Sequence, residues 1–554
     1  MSTPTTSALA ELESALRRCA EASKNDAPYL VPSRWTASAT STPDPVRVSP
    51  AQFYLESIRA IRSHRPIPIP SATAEAWTRD AVVYNMLVRA TTAFDHDGDG
   101  TLGVPVNAHG WRETGTFLKA IVLLPKLRSL GINTIHLLPV CAIGEDGRKG
   151  TLGSPYAMKN PLAVDPMLAE PILGLDAERE CAAFIEAAHR LGMRVIFEFV
   201  LRTASKDSDW IAEHPDWFYW IDRSVADRAP GSTDAHAYGP PVFAPAELSE
   251  IHRAVSEGRR EGLPAPSSSY RALFSPPPTS VHLRREGAAY IGHLPGSIEV
   301  KVPGAFADWP PDDIQPPWGD VTYLRMYAHP EFNYIAYNTI RMYDARLAQP
   351  FNALTSLWDA VAGIIPFYQR RFGIDGVMID MGHALPAELK QEIVRRARQT
   401  DPSFAFWEEN FVVSHSSKED GYDAVIGYLW CDQHETMITG DGVCHRVGGL
   451  EVGAETTFTT PSGSSRQVGT RERLLAGQQV LQRAQAQGSV EDRLLEPHTI
   501  TANADLNTAP PHILDCFVKP WNNRAFPVRY ERNALHTYFC GVINVVKRIL
   551  FGDN

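Results

Sequence analysis

Several hallmarks of other protein classes are absent from this 554-residue sequence. No apolar run approaches the roughly 18 residues that a membrane-spanning helix needs, and residues 1–25 lack the basic-then-apolar order of a secretory signal. Seven cysteines are scattered and never spaced as C-x-x-C, which favours free thiols in a reducing compartment over a disulfide framework or a zinc site. These absences predict a cytoplasmic protein that does not act at a membrane.

An excess of basic residues is also lacking. Lys and Arg number 53 against 64 Asp and Glu, and the net charge is −11. Because nucleic-acid binding needs a basic surface, this balance argues against nucleic acid as a partner. Hydrophobic residues at 44% and charged residues at 21% are ordinary for a globular protein. The oligomeric state is not fixed by the sequence, and a homodimer is one open alternative.

A helix–glycine–strand unit recurs three times along the chain. In each, an apolar stripe at helical spacing leads to a glycine and then to a short apolar run. Runs that are apolar on both faces suit parallel strands covered by helices, so the units predict an α/β fold, either a doubly wound sheet or a TIM barrel. No G-x-G-x-x-G follows the first strand, which leaves a dinucleotide site unsupported. The predicted strands are Val82–Met86, Asn133–Pro139, Arg194–Phe199, Gly376–Asp380, Phe404–Glu408, Ala424–Tyr428 and Thr499–Asp505, and an eighth is not identified.

Acidic residues at the ends of these runs favour the barrel. In a (β/α)8 barrel the carboxyl ends of the strands converge on one face, which carries the active site. A carboxylate that ends a buried strand is costly unless it is paired, hydrated or used. For any one of these acids, an ion pair at the barrel mouth is the alternative interpretation. The four residues are Glu198, Asp380, Glu408 and Asp505.

The composition along the chain divides it into four segments. Two helices, at 8–22 and near 50–64, are predicted before the barrel. A stretch rich in Pro, Gly and Ser after the third strand is predicted to be an irregular insertion beside the substrate site. The segments are an N-terminal helical extension (1–75), the first part of the barrel (76–221), the insertion (222–320) and the second part of the barrel (321–554).

Short motifs occupy the ends of strands 3, 4, 5 and 7 of this barrel: Glu198–Thr203, Gly376–His383, Phe406–Phe411 and Thr501–Asp505. A further segment, Gly153–Tyr156, is followed by Val164-Asp165-Pro166 after strand 2. Over residues 80–510 these segments resemble the α-amylase superfamily, glycoside hydrolase family 13. Two longer stretches, D-x-x-H-x-x-P at Asp380–Pro386 and H-P-D-W-F within Ser208–Phe218, resemble its maltosyltransferase branch, which includes enzymes that use maltose 1-phosphate.

The resemblance implies a retaining double displacement on malto-oligosaccharides or other α-glucans, with phosphate as one candidate acceptor and no required cofactor. Asp380 matches the nucleophile and Glu408 the acid/base, the two carboxyl groups being about 5–5.5 Å apart in such enzymes. Glu409 is the alternative acid/base, because a one-residue register change would swap which side chain points inward. Asp505 matches a third carboxylate that grips sugar hydroxyls. Substrate-binding candidates are Tyr156, Glu198, Arg202, Trp217, His383, Glu409 and Asn503.

Some positions depart from the family's pattern. Met378 stands where the family usually has an arginine that keeps the nucleophile ionised, and Arg202 is a candidate replacement. Glu198 replaces the usual aspartate, and Thr203 and Ala504 stand where classical amylases have histidines. Three functions therefore stay open: maltosyl transfer, hydrolysis or isomerisation of an α-glucoside, and a catalytically silent glucan-binding barrel.

A calcium loop is a further candidate. Asp95, Asp97 and Asp99 alternate with other residues in the manner of oxygen ligands, and Gly100 permits a turn. The twelfth position is Val106 rather than a bidentate acid, so the segment is not an EF-hand. A structural Ca²⁺ and a plain Asx-rich turn are the two interpretations.

Overall fold

No helix in the described part of the chain is long and apolar enough to cross a membrane. That part of the computed structural model comprises residues 7–22, 29–32, 35–36, 45–81, 83–129, 132–148, 150–226, 245–257, 259, 268–305, 319–335, 346–409 and 419–426, and the strand residues 446–447, 450–451, 455–459 and 465–469.

The N-terminal segment forms a layer of two helices, as predicted. Helix α1 (Ala8–Ala22) and helix α2 (Pro50–Ser63) pack on each other. Strand β1 (Tyr29–Val31) pairs antiparallel with β2 (Val46–Val48). Leu9, Leu12 and Leu16, at helical spacing on α1, are fully buried. Burial of this apolar stripe fixes the layer on the rest of the molecule.

The first half of the central sheet follows. The elements are α3 (Ala74–Asp80), β3 (Val83–Met86), α4 (Val88–Thr91), α5 (Phe117–Ser129), β4 (Thr134–Leu137), β5 (Cys141–Ile143), β6 (Met158–Val164), α6 (Ala177–Arg190) and β7 (Arg194–Phe199). One of the glycines that were predicted to end a helix before a strand is Gly192. It follows α6, has a φ of 71° and lies two residues before β7.

The predicted irregular insertion contains a regular sheet, so that prediction is wrong for its described part. Five short antiparallel strands pair in the order β10-β9-β13-β12-β11, and β14 pairs with β8. Strands of two to six residues between prolines and glycines give too little periodicity to be recognised. The elements are β8 (Thr203–Ser205), α7 (Trp210–Glu213), β9 (Trp220–Asp222), α8 (Arg223–Ala226), α9 (Pro245–Ser256), α10 (Ser268–Arg271), β10 (Phe274–Ser275), β11 (Leu283–Glu286), β12 (Ala289–Leu294), β13 (Ile298–Lys301) and β14 (Val321–Tyr323).

The second half of the chain completes a six-stranded parallel sheet in the order β17-β16-β15-β7-β4-β3. The sheet is a half-barrel, and its strands confirm the first six predicted runs to within two residues. The seventh, Thr499–Asp505, lies outside the described residues, so closure into eight strands stays a prediction. The elements are α11 (Thr355–Phe372), β15 (Gly376–Ile379), α12 (Ala387–Thr400), β16 (Ala405–Glu409), β17 (Ala424–Ile426), β18 (Arg446–Val447), β19 (Leu450–Glu451), β20 (Glu455–Thr459) and β21 (Ser465–Gly469).

The two faces of the sheet have different neighbours. Successive side chains of a strand point to opposite faces, and one set packs in the core under the helices while the other forms a separate inner cluster. The inner cluster includes Trp77 of α3, which closes this face at the amino edge. The outer set includes Ile135, Leu137, Phe197, Phe199, Val377, Ile379, Phe404 and Phe406, and the inner set includes Val83, Ile196, Met378, Ala405, Trp407 and Ala424.

Candidate active site

Asp380 lies at the carboxyl edge of the sheet, directly after β15. It is two residues beyond the inward-facing Met378, and alternation along the strand therefore directs it to the inner face. Its N–H donates to the carbonyl oxygen of Phe199 at 3.0 Å, which extends the parallel ladder one residue past the strand. The residue is 7% exposed. This is the strand-end position expected of a barrel carboxylate.

The two adjacent glutamates of β16 point to opposite faces. Glu409 is two residues after the inward-facing Trp407. Glu408 pairs in register with the outward-facing Ile379. Burial, with repulsion from the Glu408 carboxylate, raises the pKa of the Tyr422 phenol. The Cγ of Glu408 lies 3.0 Å from the point where a Cβ on Gly382 would stand. Glu408 therefore belongs to the outer side of the strand.

This register favours Glu409 over Glu408 as the candidate acid/base. A side chain on the outer face cannot reach a sugar bound over Asp380, whereas Glu409 shares the inner face with that residue. Sequence alone could not distinguish the two, because a shift of one residue exchanges the faces of a whole strand. We therefore carry Glu409 forward as the candidate acid/base.

Glu409 is also fixed to the turn that follows Asp380. One of its carboxylate oxygens accepts the N–H of Met381 at 3.2 Å, and its carbonyl oxygen is 3.0 Å from Nδ1 of His383. Met381 has a φ of 55°, a left-handed conformation that is costly for a residue with a side chain. His383, at 9% exposure, is thus one of the residues that hold the strand ends of β15 and β16 together.

Glu198 pairs with a histidine on the inner face. Its carboxylate oxygen Oε2 is 3.2 Å from Nε2 of His136, and the side chains are 0% and 1% exposed. Met378 stands beside Glu198 in register on the neighbouring strand. Sequence analysis did not single out His136. Its place one position before the end of β4, matching that of Glu198 on β7, is the signal that could have identified it.

Arg202 contacts strand β14. Its guanidinium carbon lies 4.3 Å from the ring centroid of Tyr323 on β14, and the residue is 2% exposed. The carbonyl of Arg202 accepts the N–H of Leu324 at 2.9 Å. These contacts join the segment after β7 to β14 and the residue that follows it, and the role of Arg202 as a replacement cation for Asp380 stays a prediction.

Tyr156 is held through a residue that sequence reasoning missed. Arg89, directly after the first strand of the sheet, donates from its guanidinium to the carbonyls of Leu152 (2.9 Å) and Gly153 (2.6 Å). Burial lowers the pKa of Arg89 to about 10, and the Asp165 carboxylate opposes this shift. Tyr156 itself is 3% exposed. The Gly153–Tyr156 segment is therefore anchored to the carboxyl end of β3.

Trp217, a substrate-binding candidate, is buried in this structure. It is 3% exposed, and its ring stacks on His214 at 3.8 Å with an angle of 5° between the planes. The indole N–H donates to the hydroxyl of Ser356 at 3.1 Å. With a face covered and its donor used, this side chain packs the segment that follows α7 against α11.

Two predicted site residues, Asp505 and Asn503, lie outside the described residues, and their roles stay predictions.

The three aspartates of the candidate calcium loop do converge, with ligand oxygens within 4.8 Å of one another. Asp95 accepts the N–H groups of Gly98 (2.7 Å) and Gly100 (2.8 Å), as an Asx turn does. Calcium binding there stays a prediction beside the plain-turn alternative.

Comparison with known proteins found relatives that include several maltosyltransferases. The chain is 30% identical over 182 residues to an α-1,4-glucan:maltose-1-phosphate maltosyltransferase from Mycolicibacterium smegmatis, which covers 31% of this chain and 22% of that protein. Enzymes of the same name from Cereibacter sphaeroides (36% over 116 residues; 19% of each chain) and Burkholderia pseudomallei (31% over 119 residues; 20% and 10%) also match. The matches thus span between 10% and 22% of these relatives' length.

Solved structures that align with the chain include a debranching enzyme from Nostoc punctiforme (13% identity, 88% and 83% coverage, TM-score 0.40) and a maltogenic α-amylase from Thermotoga neapolitana (16%, 65% and 52%, 0.34). These TM-scores are too low to establish the fold. No family model matches the chain. The sequence matches to the maltosyltransferases nevertheless agree with the resemblance of the strand-end motifs to the α-amylase superfamily and its maltosyltransferase branch.

Proposed function

We propose that the protein is a retaining α-glucan-active enzyme that transfers maltosyl units between malto-oligosaccharides. The observation that carries the proposal is the pair Asp380 and Glu409, two buried carboxylates on the inner face at the ends of adjacent strands, joined through the Met381 N–H. A retaining mechanism needs one carboxylate as nucleophile and one as acid/base.

Each residue has a distinct part in this mechanism. Asp380 attacks the anomeric carbon and forms a glycosyl-enzyme, while Glu409 protonates the leaving oxygen. Glu409 then removes a proton from the acceptor hydroxyl, which displaces Asp380 and restores both groups. The hydrogen bond from Met381 fixes Glu409 relative to the nucleophile, and such fixed geometry reduces the entropy lost in reaching the transition state.

Maltosyl transfer in particular is supported by the D-x-x-H-x-x-P stretch after Asp380 and by the names of the relatives. Hydrolysis or isomerisation of an α-glucoside would use the same two carboxylates. The names of the relatives include maltose 1-phosphate, and they are the basis for including phosphate as a candidate acceptor.

Met378 favours one different function, a glucan-binding barrel without catalysis. The residue is 1% exposed beside Glu198 and offers neither charge nor a hydrogen bond in the place of the family's arginine. In this alternative the protein would bind maltose-containing glucans without turnover.

Incubation of the purified protein with maltotetraose, with and without phosphate, tests these functions. We expect oligomers longer and shorter than the substrate by two glucose units, absent with the Asp380→Asn variant. Maltose 1-phosphate formed only with phosphate would make phosphate an acceptor. Shorter products alone would indicate hydrolysis, and an unchanged mixture together with calorimetric binding of maltose would favour the silent barrel.

A further inference from the structure

The inner face beneath Asp380 holds a buried carboxylate whose neighbour on β15 cannot compensate it. Met378 stands beside Glu198 in register and has no hydrogen-bond donor. A buried carboxylate without a donor or opposite charge costs several kcal/mol. Glu198 must therefore be compensated from another element.

Trp407 on β16 pairs in register with Met378 and faces inward as well, but its N–H does not point to Glu198. The indole has a single N–H, and it donates to the hydroxyl of Thr78 on α3 at 3.3 Å. Its ring meets that of His136 edge-on, with centroids 6.1 Å apart, although two strands separate β4 from β16. The contact therefore crosses the inner face and holds the imidazole from the side opposite its own strand.

We propose that His136 is a positioning residue, which holds Glu198 beneath Asp380 and supplies from β4 the compensation that Met378 cannot supply from β15. The inference rests on the proposed function, in which Asp380 is the nucleophile. The geometry that carries it is the 3.2 Å contact between Nε2 and Oε2 with both side chains out of solvent.

The link to Asp380 runs through the strand that carries Glu198. Phe199, the residue after Glu198, accepts the N–H of Asp380. A carboxylate that lost its partner would turn toward water or take up a proton, and either response moves the end of β7 on which the backbone of Asp380 depends. His136 thus acts on the nucleophile through Glu198 and does not touch the substrate.

Three variants separate a positioning role from a merely structural one, with maltotetraose as the substrate. His136→Phe removes the donor, and we expect kcat to fall at least about tenfold, the effect of about 1.4 kcal/mol, with KM little changed. His136→Gln places an amide donor near the former Nε2 and should recover most of kcat. Met378→Gln, added to His136→Phe, offers Glu198 a donor from β15 with little change in volume and should recover part of it.

A matched control exists on the same sheet. His189 pairs with Asp375 at 2.8 Å before β15, at the amino edge of the sheet. His189→Phe should lower the melting temperature without changing kcat. If His136→Phe behaves in the same way, or if neither glutamine restores activity to a folded variant, the positioning role is refuted.

Thermal unfolding tests the pair without reference to activity. Glu198→Met should lower the melting temperature less in the His136→Phe background than in the wild-type background, because the carboxylate that it removes has already lost the imidazole in the His136→Phe variant. Absence of this coupling refutes the pairing, also where a single variant fails to fold. If wild-type protein is inactive on maltotetraose while the coupling is present, the proposed function and the positioning role both fail and only a structural pair remains.

Discussion

The two edges of the six-stranded sheet each carry a histidine–carboxylate pair, and the pairs differ in exposure. At the carboxyl edge, the side chains of His136 and Glu198 are 1% and 0% exposed; at the amino edge, those of His189 and Asp375 are 32% and 21% exposed. A solvent-exposed pair contributes at most about 1 kcal/mol, whereas breaking a buried pair costs about 3–5 kcal/mol.

The difference shows where the fold accepts an expensive polar arrangement. The amino edge is closed by α3, whose Trp77 donates to the carbonyl of Ser403 at 2.9 Å and packs under Trp407. The carboxyl edge instead gathers buried acids from β7, β15 and β16. Acids that are costly to bury and lie together at one edge are better explained by chemistry than by stability.

The largest contrast is expected between the two aspartates that flank β15. Asp380→Asn removes the proposed nucleophile, and we expect kcat on maltotetraose to fall by several orders of magnitude. Asp375→Asn, at the other end of the strand, weakens contacts to His189 and to the N–H of Val195 (2.7 Å) and should lower stability by about 1 kcal/mol. Equal losses of kcat in both variants, with both folded, would contradict the distinction between the edges.

The two faces of β16 give the next contrast. Glu409→Gln removes the proposed general acid and should lower kcat by about 10²–10⁴-fold, with loss of the corresponding limb of the pH–rate profile. Glu408→Gln, on the outer face beside Tyr422, should leave kcat close to wild type and alter only stability. Steady-state kinetics from pH 4 to 9 measure both. The reverse result would restore Glu408 as the acid and show that the register assigned to β16 is wrong.

This pair of glutamates also marks the limit of what the sequence could predict. The strands and the glycine-ended helices were recognisable, because apolar periodicity and Gly192 or Gly373 are local signals. The face on which an acid lies depends on pairing with neighbouring strands, which no local pattern records. For Asp380 there was no choice between two neighbouring acids, because it is the single acid at the end of its strand.

Aromatic residues were harder to place. Trp217 and Trp407 are both buried, and sequence alone does not show which groups their rings contact. Their partners differ: Trp217 packs on His214, three residues earlier in the chain, whereas the ring of Trp407 reaches across the inner face to His136. The first contact is set by a local turn, and the second joins segments that are distant in the chain. Neither kind of contact produces a periodic pattern in the sequence.

A third contrast concerns a buried acid in the helical layer. Glu180 on α6 is fully buried, and its carboxylate accepts the N–H of Glu170 at 2.8 Å. Burial, with repulsion from the Glu170 carboxylate, raises the pKa of Glu180 from 4.5 to about 8. Between these pH values the folded state keeps a proton that the unfolded state has released, so the free energy of unfolding falls as pH rises through this window.

Glu180→Gln should therefore flatten the pH dependence of stability. Denaturant unfolding at pH 5 and pH 8 should show a smaller difference for the variant than for wild type, with the gain at pH 8. Glu178→Gln on the same helix is the matched control, since Glu178 is partly exposed and pairs with Arg371 at 2.6 Å. A wild-type protein equally stable at both pH values would show that Glu180 is ionised or solvated in the folded state.

The smallest contrast lies in the turns at the two ends of β15. Gly373 before the strand has a φ of 69° and Met381 after it a φ of 55°, so both are left-handed, but only one is glycine. Gly373→Ala meets no atom within 4 Å, and its cost is backbone strain alone, about 1–2 kcal/mol.

Met381→Gly relieves a similar strain but adds chain entropy to the unfolded state, about 0.5–1 kcal/mol. Its net effect on the free energy of unfolding should consequently be small. Because the N–H that Glu409 accepts is retained, kcat should fall only as far as the turn becomes more mobile. Chemical denaturation and kcat of the two variants measure this difference. A large loss of activity in Met381→Gly with unchanged stability would mean that the strained methionine, rather than its N–H alone, fixes Glu409 beside Asp380.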